Sequence, residues 1–269
     1  MEPVNSNLHP LKTKDEIVQD WLPRYTGMPT QKFGWYVLLT NFRGYVDAFA
    51  ELYDVPIYGL DRPMQAATSP DGITIINFGI GSANAATICD LLSAVKPKAV
   101  LFLGKCGGLK KKVRVGDFIL PIAAIRDDGT SNDYTFPEVP ALPSFQLQKA
   151  VSHIISKNKQ DYYTGTIYTT NRRIWEHDEA FRGYLHQTRC IGIDMETATI
   201  FVVCFANQLP HGALLLVSDT PLTPDGIKTA ESDKSVTDLY MNHHLKIGIE
   251  SLLELKHSGE SVKHLLFHD

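Results

Sequence analysis

Four short stretches hold the residue types from which a reactive site could be built. In "FLGKCGGL" (102–109), Lys105 stands among three glycines, with Lys110, Lys111, Lys112 and Arg114 close behind. Glycines after a strand let backbone N–H groups approach an anion, and a lysine adds charge. The plainer alternative is a glycine turn followed by a solvated basic stretch, and this segment alone leaves both open. In "GIDMETA" (192–198), Asp194 and Glu196 stand at the mouth of an apolar run, where carboxylates cost energy unless something pairs or uses them. In "LVSDT" (216–220) a buried strand ends in Ser218 and Asp219, and "FGIGSANAA" (78–86) sets Gly79 at the end of another.

The elements that must position these residues alternate. "WYVLLT" (35–40), "ITIINFG" (73–79) and "AVLFLG" (99–104) read as strands, and "RGYVDAFAELY" (43–53) and "SANAATICDLLSAV" (82–95) as helices, the latter with Ser82 as N-cap. A short helix is expected near 13–21, behind a loose start. In the second half "FQLQKAVSHIIS" is a helix, "YTGTIYTT" a strand, "GALLLVSD" a strand, and 232–256 a long closing helix. The helix "TATIFVVCFANQ" (197–208) is apolar nearly all round, so it should run through the core. Alternation of this kind predicts an α/β chain: a mixed, mostly parallel sheet covered on both faces. One domain over 1–269 is expected, with 1–30 as an N-terminal extension and 126–144 as a loop insertion. Ligands of open α/β sheets bind beyond the carboxyl ends of the strands. Asp219, Glu196, Gly79 and Lys105 are all strand-end residues on this reading and should converge on one rim.

Composition narrows the class. The chain has 269 residues, 43% hydrophobic and 21% charged, enough for a sizeable core. A net charge of −4 argues against a general nucleic-acid or membrane-surface binder. The four cysteines form no C-x-x-C pair, which favours reduced thiols over a disulfide framework or a metal site. The opening residues do not read as a signal peptide, and no apolar run approaches the ~20 residues needed to span a bilayer. A soluble cytoplasmic protein is expected.

The four motifs, taken in order from about Trp35 to about Leu255, resemble the purine nucleoside phosphorylase and nucleosidase superfamily. The continuation "SDTPLTPDGIKTAESDKSVTD" and "TTNRRIWEHDEAF" are similar to the AMP nucleosidases, in a short form without the N-terminal regulatory domain of longer members. The resemblance implies a single-domain three-layer α/β/α fold and hydrolysis of AMP to adenine and ribose 5-phosphate. It also implies a homo-oligomer (a hexamer or other dimer-based assembly) working without metal or organic cofactor.

The resemblance also implies roles. Asp219 stands where the family places a carboxylic acid against N7 of the purine. Cleaving an N-glycosidic bond needs the leaving base neutralised, and an Asp kept partly protonated by burial can supply that proton. Read without the family, it is a turn or cap residue beside Ser218. Met195 and Glu196 fall where ribose binds: the carboxylate accepts sugar hydroxyls and faces the oxocarbenium-like transition state, and the thioether packs on the sugar. Tyr168 takes the place of an aromatic that stacks on the base, or is a core tyrosine. Lys105 replaces a small hydroxyl residue that holds inorganic phosphate in phosphorolytic relatives, with Phe102 where some carry Arg. It is expected either to fill that pocket, so that water attacks, or to recruit an anion of its own. Arg172 and Arg173 are the first candidates for the substrate's 5′-phosphate, as the guanidinium fork suits phosphate; Arg43 and Lys228 are further ones. Hydrolytic relatives acting on methylthioadenosine carry a water-orienting glutamate in the first strand-to-helix turn. Here that turn reads "LLTNFRGY", with no acid before Asp47, which leaves Glu196 and Asn41 as candidates.

Three other readings stand beside this one. One is a phosphorylase or nucleosidase acting on an unphosphorylated purine nucleoside such as adenosine or methylthioadenosine. Another is a non-catalytic nucleotide sensor, which should have lost Asp219 or Glu196, and both are present. A dinucleotide-binding protein fails because "GIGSANA" lacks the third-glycine spacing.

Overall fold

The computed structural model describes residues 11–258 except position 225. The first ten residues of the expected N-terminal extension lie outside the described residues; its later part forms α1 (Lys14–Thr26), opened by a reciprocal cap between Thr13 and Glu16. The order that follows is β1 (Tyr36–Thr40), α2 (Arg43–Tyr53), β2 (Gln65–Thr68), β3 (Ile73–Asn77), α3 (Ser82–Leu91) and β4 (Ala99–Gly108). Then come β5 (Phe118–Asp127), α4 (Phe145–Lys157), β6 (Tyr162–Thr170), α5 (Glu179–Thr188), β7 (Gly192–Asp194), α6 (Thr197–Ala206), β8 (His211–Asp219) and α7 (Ala230–Ser258).

β4 is the hinge of the sheet. Its first residues pair in parallel with β1, Tyr36 opposite Ala99 through Leu39 opposite Phe102. Its other edge runs parallel to β8 from Val100 opposite His211, and its last two residues turn to β7. β8 also pairs with β5, β5 with β6, and β6 with β7, so five strands close a ring through β4. β3 and the antiparallel edge strand β2 extend the open half beyond β1. The sheet is mixed and mostly parallel, as expected.

Alternation along the strands builds the two layers. Val37, Leu39, Val100, Phe102 and Leu215 face α3 and α6 in one core, while Leu38, Leu101, Leu103, Leu214 and Leu216 face α2, α4 and α7 in the other. α6 is buried from Thr197 to Cys204, which its all-round apolar pattern requires. No helix among the described residues is long and apolar enough to cross a membrane.

Two local expectations need correction. Lys105 does not sit in a loop: the strand runs on through Cys106, Gly107 and Gly108, every residue buried. The glycines answer to crowding where three strands meet. A Cβ on Gly104 would lie 2.4 Å from Phe102, and one on Gly108 2.9 Å from Val113. Ser82 is not the cap of α3; that place belongs to Gly81, and the Ser82 hydroxyl donates to the Met195 carbonyl instead (2.7 Å). The polar span after β5 is pinned by Arg126, whose guanidinium donates to the carbonyls of Ser131, Thr135, Phe136 and Val139.

Candidate active site

A cavity opens where the carboxyl ends of β4, β6, β7 and β8 meet. Its wall includes Asn41, Phe42, Lys105, Arg172, Arg173, Met195, Glu196, Asp219, Lys228 and Asp233. The rim expected from the sequence therefore exists for Asp219, Glu196 and Lys105. Gly79 only leads into it: Ile80 lines the wall, and Gly79 serves the turn with φ 83°.

One wall is an acid pair set between two helix starts. Asp194 ends β7 and accepts from the Thr169 hydroxyl (2.7 Å), the Thr197 N–H (2.8 Å) and the Thr197 hydroxyl. Burial raises its pKa, and those donors oppose the rise. Glu196, the residue before α6, accepts the N–H of Gly81 (2.8 Å), which a φ of 97° turns toward it, and a hydrogen bond from Asn41. Burial first, and then the Asp194 charge, push its pKa up to about 8. Because Asp194 has more donors, we assign the shared proton of the pair to Glu196. The other end of the Asn41 amide, Oδ1, is buried without a hydrogen-bond partner.

A second part of the lining is a charged cluster. Lys105 points from β4 toward α7, where its ammonium donates to Asp233 Oδ1 (3.0 Å) and Thr237 Oγ1 (2.8 Å) and lies 4.4 Å from the centre of the Phe42 ring. Burial lowers its pKa. Lys228 stands between two carboxylates, 3.5 Å from Asp219 and 3.6 Å from Asp233. Burial works to raise the Asp233 pKa, but the two lysines hold it below the usual carboxylate range. Asp219 also accepts the Ser218 hydroxyl (2.7 Å).

The segment after β6 supplies the remaining cations. Arg172 pairs with Asp178 (2.7 Å) and Arg173 with Glu176 (3.6 Å), both partners within six residues in the chain. Besides Gly79, two nominated residues lie outside the cavity wall. Arg43 opens α2 with its side chain 63% exposed, paired with Asp47 at 3.5 Å. Tyr168 is buried, its ring edge-on to Phe181 and Tyr184 and its hydroxyl bonded to Asp127. Sequence reasoning missed Asp233, Thr237 and Phe42. Asp233 sits in a polar helix start, and nothing in its spacing points to a lysine 128 residues away. Among the described residues no group of three or more His, Cys, Asp or Glu is arranged to hold a metal ion.

The fold and this wall define a class, and the chain belongs to the phosphorylase superfamily, whose family model matches residues 43–254. Within it, the chain is 31% identical over 284 aligned residues to the AMP nucleosidase of Escherichia coli (strain K12), covering 89% of this chain and 58% of that protein. The chain thus spans little more than half the length of the curated AMP nucleosidases it matches. It is 30% identical to the guanosine phosphorylase of Halorubrum lacusprofundi, covering 72% of this chain and 82% of that one. Among solved structures, AMP nucleosidase from Bacteroides thetaiotaomicron VPI-5482 superposes with a TM-score of 0.81 at 53% identity, over 92% of this chain and all of that one. Purine nucleoside phosphorylase from Toxoplasma gondii, at 18% identity and a TM-score of 0.75, shares the fold.

Proposed function

We propose that this chain hydrolyses the N-glycosidic bond of AMP to adenine and ribose 5-phosphate. The observation that carries the reading is one cavity whose lining holds Asp219, Glu196 and three cations, Arg172, Arg173 and Lys228. A plain nucleoside gives such cations nothing to bind; a nucleotide does. Similarity to AMP nucleosidases over most of the chain supports the same substrate.

The N9–C1′ bond breaks with its electron pair going to the purine. Asp219 gives a proton to N7, so that neutral adenine leaves. Positive charge growing on the sugar faces the Asp194–Glu196 pair, which carries one negative charge between them, and Glu196 with Met195 holds the ribose. A water oxygen bonds to C1′, and the proton it sheds restores the acid for the next turnover. Inorganic phosphate does not take the water's place because the Lys105 ammonium is committed to Asp233, Thr237 and the Phe42 ring. Arg172, Arg173 and Lys228 bind the 5′-phosphate. The same reading makes the protein a cytoplasmic homo-oligomer, a hexamer or other dimer-based assembly, that needs no organic cofactor.

Incubating the protein with AMP in phosphate-free buffer and separating the products by chromatography tests the reading. Adenine and ribose 5-phosphate are expected in equal amounts. Ribose 1,5-bisphosphate, formed only when phosphate is added, would make the protein a phosphorylase.

A further inference from the structure

Lys228 occupies a position that a simple phosphate ligand would not need. Its ammonium lies 3.5 Å from Asp219, the carboxyl assigned to protonate the base, and 3.6 Å from Asp233. An ammonium at that distance favours the ionised form of a carboxyl and so works against an acid that must carry a proton. The side chain is only 24% exposed, and both its partners are in the cavity wall, so solvent screens the pairs weakly. Lys105, on the other side of Asp233, is held by three partners and cannot take over if Lys228 leaves. Lys228 is thus the movable member of the cluster, on the connection between β8 and α7 and outside any helix or strand.

We propose that Lys228 makes the acid conditional on the substrate's phosphate. In the ligand-free chain its ammonium pairs with Asp219; a 5′-phosphate draws it away and leaves the carboxyl free to relay a proton from solvent to N7. A phosphate carries more charge than a carboxylate and offers more acceptor oxygens, so it outcompetes Asp219 for the ammonium. Adenosine binds without moving Lys228 and meets an Asp219 still paired with its ammonium. Selection between nucleotide and nucleoside then appears in kcat as well as in binding, since phosphate binding energy serves the chemical step. This inference rests on the AMP reading above.

The test compares kcat and kcat/KM for AMP and for adenosine in phosphate-free buffer, in the wild type and in Lys228→Met and Lys228→Ala. If Lys228 only bound phosphate, the variants would weaken AMP binding and leave adenosine unchanged. If it were only structural, both substrates would suffer. The conditional acid predicts that kcat/KM for AMP falls about 10- to 100-fold through the lost phosphate contact, with kcat for AMP nearly kept, while kcat for adenosine rises several-fold. A second arm uses the wild type alone: phosphite dianion added to adenosine should raise its rate saturably, and Lys228→Met should abolish that activation. Adenosine turnover that is unchanged or lower in both variants, together with no activation by phosphite, overturns the proposal and leaves the AMP reading standing. A wild type that needs inorganic phosphate to cleave AMP overturns hydrolysis instead, and the AMP-to-adenosine comparison repeated at one fixed phosphate concentration decides the role of Lys228. A wild type that turns over adenosine as fast as AMP overturns both.

Discussion

The two walls of the cavity are built in opposite ways. The acid wall is held by contacts between distant parts of the chain: Gly81 donates to Glu196 across 115 positions and Thr169 to Asp194 across 25, all at the starts or ends of buried elements. The cationic wall of Arg172 and Arg173 is held locally, each arginine by an acid of its own loop, and both pairs are partly open to solvent. Interactions of the first kind cost much to disturb, since breaking them strands buried polar groups. Those of the second kind contribute little to stability and can be exchanged for a ligand's charge. A site that stabilises a transition state needs the first kind; one that captures and releases a charged group needs the second.

The largest effect is expected at Asp219, which meets Ser218 and Lys228 in the cavity lining. Asp219→Asn should lower kcat for AMP by about 10²–10⁴-fold with little change in AMP binding, as expected for loss of a general acid. Steady-state kinetics beside direct titration of AMP separate the two, and near-wild-type turnover would make Asp219 a structural residue. On the cationic wall, Arg172→Ala and Arg173→Ala should each lower kcat/KM for AMP by about 10- to 150-fold, the worth of one charge-assisted hydrogen bond, and leave adenosine nearly unchanged. Equal losses on both substrates would place the phosphate elsewhere.

The acid wall can be sharpened through pH. Glu196 has a folded-state pKa near 8, above its unfolded value, so between about pH 4.5 and 8 the folded chain binds the extra proton. Stability then falls as pH rises through that window, by at most about 1.4 kcal/mol per pH unit for one proton. Glu196→Gln removes the term, so denaturant unfolding at pH 5 and pH 8 should show the variant gaining on the wild type at the higher pH. A gap that stays constant would mean that Glu196 is ionised in the fold throughout. The smallest effects belong to the residues outside the wall. Tyr168→Phe should cost about 1 kcal/mol of stability through the lost Asp127 bond and leave KM for AMP within about twofold. A larger rise in KM would return Tyr168 to the base-binding site.

The same contrast explains what the sequence made legible. "GIDMETA" and "LVSDT" announced themselves because carboxylates at the mouths of buried elements are rare and expensive, and both fall in the cavity wall. The alternating strand and helix pattern carried the layered sheet for the same reason: burial leaves a periodic trace. Lys105 was misplaced because glycine normally ends a strand; here it lets β4 continue between two neighbours, a requirement set by β7 and β8 far along the chain. The closed ring of five strands and the pairing of Lys105 with Asp233 leave no local signal, since each depends on segments that meet only in the fold. Arg43 lies outside the wall of this protomer's cavity, paired with Asp47 and mostly exposed, a placement that the turn "LLTNFRGY" does not announce.

The central claim is that water, not phosphate, attacks a nucleotide held by its 5′-phosphate. Its most direct test is the ratio of kcat/KM for AMP to that for adenosine, measured at increasing inorganic phosphate from zero. AMP should be cleaved to ribose 5-phosphate at full rate without phosphate and be preferred by at least about tenfold, with added phosphate only competing. An AMP rate that starts at zero and climbs with phosphate, or a preference for adenosine, would contradict the account.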